Sequence, residues 1–562
     1  MPNTTVADLH SDQLFQTHSA IDAVTFGLSD GIPLAGSSGF EPLTVRYEAA
    51  SDRYTISIPG RTKSFEPSDL SSTDIDGLSY HVIVDDMERD VLMVATQPLR
   101  GGAANKYVGY GYWQHDLVEG DDQKGYSQNA RLNFFTYGFP TQANAVPRSG
   151  HGSWAIDLFG IATTQGGTDL YLLTGPGEFD VDFSSASFSA HVDATSRNGT
   201  TDEVMSGATS FWAGGHLVSD GRFAGNATFY NELGQFGGAI QGQFFGPNAE
   251  ELGAIISATG YRAPGPDVRS EKNFAGVITG QRSNAPPISL TLTNIVSDFS
   301  SWSQIVELTT SRRASPPAGG HSVFLGDQEN ILLRVDGDIV FSSTVFGNFE
   351  GTFSSTDLVS RDNRFSVYTK TIDGKPTTLE MFRPGPANSD IALSYASFGR
   401  WSTQHTNENS WLIDRFHYFS YGFGTRAGLL MNRSGTARYE GVVHGTGAGG
   451  DGVPFEVGGA SFFDVDFTNA VYSGAMDLQR LATDGSVAAL FGRWDFSDRL
   501  HAGSMARAEL QGPAEYQAWG EIHPGFYGPN GEEISALFKI ETLAFEGPDS
   551  FSIVGATVAK ER

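Results

Sequence analysis

The chain of 562 residues holds 68 Gly, 40 Phe and no Cys, and sets 36 basic against 65 acidic residues for a formal net charge of -29. Roughly 100–200 residues per domain gives about three to five domains. The absent Cys excludes disulfides and thiolate metal sites, and the charge repels phosphate backbones and anionic bilayers. The polyphosphate-loop pattern GxxxxGK[ST] does not occur, so nucleic acid is not an expected partner.

Met1 is followed by Pro-Asn-Thr-Thr, without the basic and apolar regions of a signal peptide, and no apolar run reaches the roughly 18 residues of a membrane helix. Residues 43–48, 54–58, 80–84 and 91–94 alternate as strands between Gly, Pro, Ser and Asp turns. Glycine for turns and Phe for pleated faces predict an all-β protein of sandwiches or barrels. The best helical spacing runs from Ile295 through Phe299, Trp302 and Ile305 to Val306, with Asp298 placed to cap it. Asp74-Ile-Asp76-Gly and Asp336-Gly-Asp338 lack the spacing and terminal Glu of a calcium loop and read as turns.

Four strings occur twice. Tyr110-Gly-Tyr-Trp113 returns as Phe398-Gly-Arg-Trp401, FFTYGF at 134–139 as YFSYGF at 418–423, FDVDF at 179–183 as FDVDF at 463–467, and FFGPNAEE at 244–251 as FYGPNGEE at 526–533. The offsets of 288, 284, 284 and 282 residues describe two homologous lobes with a seam at residues 283–287. The anchors fall in the rear part of each lobe; the front parts share strand character but no strings.

In the FDVDF strand, Phe179, Val181 and Phe183 share one face, and Asp180 and Asp182 the other. A carboxylate pair for glycoside hydrolysis or calcium is one reading. An apolar face turned inward and a solvated face outward is the preferred one. Glu250 and Glu251 have no nucleophile or His in their pattern, so a turn leading into a helical turn is expected rather than an acid–base pair. Trp113 and Trp401 are either sugar-stacking platforms or, the preferred reading, core residues duplicated with the fold. Thirteen His show neither HExxH nor His-x-His, and no GxSxG elbow occurs, so no metal or catalytic site is expected. Phe211 and Trp212 lie in a Ser/Gly-rich stretch and are the candidate ligand contacts, with burial as a barrel plug the alternative.

The repeated strings resemble the transferrin-binding protein B family of bacterial surface lipoproteins. The elements similar to the family's barrel motif are Phe244, Phe245, Gly246, Pro247 and Glu250, matched by Phe526, Tyr527, Gly528, Pro529 and Glu532. Asp182-Phe183 and Asp466-Phe467 look like a second family element, and Trp113 and Trp401 end runs into each barrel. The resemblance implies two lobes, each a β-rich handle domain followed by an eight-stranded antiparallel β-barrel filled by side chains. The expected divisions are a handle at 1–105, a barrel at 106–282, a second handle at 288–395 and a second barrel at 396–562.

It also implies a non-enzymatic protein without a cofactor, held at the outer-membrane surface by a lipidated N-terminal Cys. Such a protein captures an iron- or haem-bearing protein or another nutrient for a TonB-dependent transporter, through loops of the N-lobe. This chain lacks the Cys, and the expectation is that it starts just after the lipobox. Its 8 Lys against 28 Arg set it apart from the Lys-rich iron-capturing members of pathogens. A surface carbohydrate-binding protein or an adhesin is the alternative function.

Overall fold

The computed structural model describes residues 2–27, 33–71, 80–98, 103–121, 125–164, 170–199, 201–205, 209–231, 234–260, 272–315, 317–343, 349–426, 428–501, 503–542 and 550–562. Strands dominate, the described helices are three short 3-10 turns, and none is long and apolar enough to cross a membrane. Asp74 and Asp76 lie outside the described residues.

The chain divides into two compact units, Met1–Pro287 and Ile288–Arg562. In the first, a nine-stranded antiparallel sheet, called the handle here, has Gly125–Gly138 as its central strand; beside it Gln13–Gly27 pairs with Gly125–Gly138 on one side and Pro33–Glu48 on the other. Eight strands from His151–Thr164 to Lys272–Ser283 follow as an up-and-down barrel, closed by pairing of the first with the last.

The second unit repeats the plan. Its nine-stranded sheet has Leu412–Gly422 as its central strand, with Phe299–Ala314 between it and Pro317–Leu333, in the same chain order of neighbours as in the first unit. Its second sheet has nine strands and curls into a barrel in which the first strand, Thr436–Gly449, again pairs with the last, Phe551–Glu561. Here the fourth and fifth walls, Val487–His501 and Ala508–Leu510, meet through one bridge between Asp495 and Gln511, with N–H to carbonyl distances of 2.9 and 2.8 Å. The equivalent strands of the first barrel pair along eight rungs, from Ser210–Tyr230 to Leu217–Phe223.

The phenylalanines fill the barrels. Phe179, Phe188, Phe211, Phe223, Phe244 and Trp154 lie in one core, with Phe179 stacked on Phe188 at 5.0 Å between ring centroids. Tyr439, Phe463, Trp494, Phe496 and Phe538 do the same in the second. Inward alternation along each strand produces this filling, because a barrel of eight strands has room for side chains and little else.

Two sequence expectations change. The spacing at 295–306 is not a helix: Phe299–Ala314 is a strand. Ile305 enters the handle core while Val306 and Leu308 enter the layer between handle and barrel, so both faces are buried. A strand buried on both faces has no clean period of two, and its apolar residues fell by chance at helical spacing. Asp298 instead accepts the Val335 N–H at 3.0 Å.

The divisions at 105/106 and 395/396 fall inside the handle sheets, since Val108–Asp121 with Gly125–Gly138, and Ala396–Thr406 with Leu412–Gly422, are handle hairpins. The doubled strings of these hairpins read as barrel because one face packs on the barrel. Tyr110, Leu132 and Phe134 share a cluster with Phe159, Ile161 and Val277 of the first barrel.

Candidate functional site

The doubled Gly-Pro-Asn strings form a clamp between handle and barrel. Strand Gly234–Phe245 ends in a turn in which Gly246 has φ +84, and Gly528 has φ +90 at the matching place. The turn is closed by Glu250, which accepts the Asn248 backbone N–H at 2.8 Å and its side-chain amide at 2.9 Å. Glu532 accepts the same two donors of Asn530, both at 3.0 Å. A Cβ on either glycine meets that carboxylate. Gly528→Ala is therefore expected to cost about 2 kcal/mol, from the left-handed backbone plus the displaced Glu532, read as a lowered denaturant midpoint.

The next residue carries the greater load. Glu251 is buried and takes the backbone N–H groups of Lys106, Tyr107 and Val108 at 2.7, 2.8 and 2.9 Å. Glu533, fully buried, takes those of Ser394, Tyr395 and Ala396 at 2.7, 2.8 and 2.8 Å. Burial pushes the Glu533 carboxyl up, and the three N–H groups pull it back. The expected helical turn after the glycine is absent; both strings pass directly into strands.

The FFTYGF strings close the same joint. Gly246 donates to the Phe139 carbonyl and Thr141 to that of Phe244, both at 2.9 Å; Gly528 to Phe423 and Thr425 to Phe526 repeat this at 2.8 Å. Phe244, Phe245 and Phe526 are buried, Tyr527 is half-buried, and Pro247 is exposed while Pro529 is half-buried. These residues hold the unit together and leave no acid–base pair open to a substrate.

The FDVDF strands keep their apolar face inward, with Phe179, Val181, Phe183, Phe463, Val465 and Phe467 all buried. In the first unit the opposite face is not solvated: Asp180 is 7% exposed and Asp182 0%. Their neighbours are small and polar. Asp180 accepts the Ser153 hydroxyl, and Asp182 accepts the Ser184 N–H at 2.8 Å and lies 3.7 Å from His151. Burial pushes the Asp180 carboxyl up despite the Ser153 hydrogen bond. Asp464 and Asp466 are half-buried; Arg438 pairs with the first at 2.9 Å, and the Asn469 N–H at 3.0 Å caps the second.

Trp113 is in the handle core, its indole N–H donating to Asp90 at 2.9 Å, and Trp401 is buried against His417 at 4.5 Å between rings. The Asp336 carboxylate accepts the Asp338 N–H at 3.0 Å in a turn at Gly337. Phe211 and Trp212 lie on strand Thr209–Leu217, not between strands. Phe211 is 1% exposed inside the barrel and is not available as a contact, because its register points it inward. Trp212 points outward, half-buried, and stacks on His191 at 3.7 Å.

One cluster had no sequence signal. Glu88, Asp90 and His115 bring ligand atoms within 4.8 Å of one another. Asp90 already pairs with Arg61 at 3.0 Å and Lys63 at 3.1 Å. Burial, then the Arg61 charge, hold the His115 pKa below its ordinary value. Two resident cations on the buried carboxylate make this a charge-balanced core node that does not fit a further cation.

The first unit also has a cleft of about 600 Å³ between handle and barrel. Gln16, His18 and Thr44 line it from the handle, and Arg222, Gln241 and Gln243 from the barrel.

No family model and no curated protein matches the sequence. Solved structures to which the chain is similar include transferrin-binding protein B of Haemophilus parasuis Hp5 in a double-mutant form, at 14% identity over 97% of this chain and 95% of that one, TM-score 0.27. Another is the isotype 1 transferrin-binding protein B of serogroup B Neisseria meningitidis, at 15% identity over 81% of this chain and 85% of that one, TM-score 0.28. The two-unit all-β architecture stated above rests on the chain's own sheets.

Proposed function

We propose that the chain is a non-enzymatic surface binding protein of the transferrin-binding protein B kind. It captures an iron- or haem-bearing protein, or another nutrient carrier, and passes the cargo to a TonB-dependent outer-membrane transporter. It works at the outer-membrane surface, as a surface lipoprotein of that kind does. The observation that carries this reading is the doubled Gly-Pro-Asn-x-Glu-Glu clamp: the strings that resemble the family do the same mechanical work in both units.

Barrels packed solid with Phe and Trp direct any ligand to outer faces and clefts. In the first unit these are the Trp212–His191 pair and the cleft between handle and barrel. The Trp212–His191 pair also supports the second reading, a carbohydrate-binding surface, since an outward aromatic ring is a stacking platform for a sugar.

Immobilised chain exposed to serum and to environmental protein mixtures is expected to retain an iron- or haem-carrying protein. Co-purification with a TonB-dependent receptor is expected from a membrane extract of the source cell. Trp212→Ala is expected to leave thermal unfolding within about 1 kcal/mol of the parent while weakening capture about tenfold or more. Retention of oligosaccharides and no protein supports the carbohydrate reading, and tight binding of one small ligand with no macromolecule sinks both.

A further inference from the structure

Two cations and a histidine on one face of the second handle sheet stand without partners among the described residues. On strand Leu412–Gly422, Arg415 lies across from Thr403 of Ala396–Thr406 on one side and Thr309 of Phe299–Ala314 on the other. His405, two residues beyond Thr403, and Lys375, two residues before its neighbour Thr377, continue the same face. Residues opposite each other in a ladder, and residues two apart along a strand, share a face. This is the inward face that carries Trp401, Phe419 and Ile305 deeper in the handle. The three side chains thus sit where the apolar core gives way to the open hairpin ends at residues 373–374 and 407–411.

Nothing among the described residues satisfies them. The Arg415 Nε and the His405 Nδ1 are buried nitrogens without a hydrogen-bond partner. Glu307, whose carboxyl feels the Arg415 charge, is already occupied by His417 at 3.3 Å and the Thr309 hydroxyl at 2.8 Å. Burial, then the charges of Lys375 and Arg415, hold His405 below its ordinary pKa. Like charges gathered beside buried unmade hydrogen bonds destabilise the empty handle, and an anion among them relieves both effects.

We propose that Lys375, His405 and Arg415 form a binding site for a tetrahedral oxyanion of the phosphate or sulfate type in the mouth of the second handle. An ammonium, an imidazole N–H and a guanidinium edge, contributed by three different strands, suit an ion with several acceptor oxygens. A carboxylate is filled by a single Arg fork. The overall charge of -29 opposes anions at long range. At physiological salt, however, charges beyond about 8 Å are screened, and the two local cations, Lys375 and Arg415, decide. The site is separate from the capture surface proposed above and does not depend on it.

The test is calorimetric titration of the 562-residue protein with inorganic phosphate, inorganic sulfate and glucose 6-phosphate at constant ionic strength. Saturable binding tighter than about 1 mM is expected for at least one of them. Preference for the sugar ester assigns the oxyanion to a carried group, and equal binding of phosphate assigns it to the free ion. Arg415→Gln and Lys375→Gln are each expected to weaken binding about tenfold or more. Lys375 is exposed, so its substitution tests the site without threatening the fold. The His405 ring resonance is expected to titrate at higher pH when the anion is bound, a response that a merely structural His does not give. No heat from any of the three ligands overturns the proposal, as does binding that survives both substitutions.

Discussion

Glu533→Ala is expected to destabilise the second unit by about 4 kcal/mol, among the largest effects of any single substitution in the chain. The side chain is fully buried, and its carboxylate takes three consecutive backbone N–H groups, from Ser394, Tyr395 and Ala396. Truncation removes three charge-assisted hydrogen bonds and leaves three donors turned toward a cavity. Each such bond is worth roughly 1.5–3 kcal/mol alone, and the sum is discounted because water will reach part of the void. Glu533→Gln keeps the volume but sets an N–H against an N–H, so it is expected to recover less than half of the loss. The two units are separate bodies of sheet, so unfolding is to be followed as two transitions, with only the second moving. Amide exchange localises the effect: Ser394, Tyr395 and Ala396 are expected to lose protection. Unchanged protection there, with a lowered midpoint, would contradict the clamp.

That clamp shows what was legible in the sequence and what was not. The doubled strings revealed the two units because turn glycines, Glu closures and barrel Phe are constrained by residue type, so they remain readable in both copies. The partners of Glu251 and Glu533 were invisible, since backbone N–H groups at 106–108 and 394–396 leave no mark on residue identity. The front parts of the units share no strings, yet their sheets have the same strand order. Strand pairing requires alternation and turns, which many sequences supply, so topology outlasts identity there. The misplaced divisions at 105/106 and 395/396 have the same origin, for the preserved hairpins are those pressed between handle and barrel.

Other readings failed where burial ran against residue type. Phe211 and Trp212 are adjacent in sequence, but a strand sends neighbours to opposite faces, and only Trp212 reaches the outside. Asp180 and Asp182 alternate as a solvated face should, yet small Ser neighbours and turn N–H groups enclose them. Lys375, His405 and Arg415 lie 30 and 10 residues apart in sequence. Only the strand pairing places them on one face.

A second large effect is tied to pH and to Asp22. This residue is 0% exposed on the handle strand Gln13–Gly27, and both of its carboxylate oxygens face the Thr163 hydroxyl of the barrel, at 3.1 and 2.9 Å. Burial pushes its pKa up from 3.8 to about 7, against a smaller downward pull from Thr163. The folded protein therefore keeps this proton through a pH range in which the unfolded chain has released it. Stability falls as pH rises from about 4 to about 7, then stays level with respect to this group. At 1.36 kcal/mol per pH decade the full loss is on the order of 4 kcal/mol.

Asp22→Asn remains neutral throughout and still offers an oxygen to Thr163. It is expected to match the parent near pH 4 and to exceed it by about 3–4 kcal/mol at pH 8, with the difference opening between those limits. Denaturant unfolding of the first unit at four or five pH values across that window measures it. An Asn variant that parallels the parent at every pH would show that Asp22 is ionised in the folded protein, and that the joint between handle and barrel tolerates a buried charge.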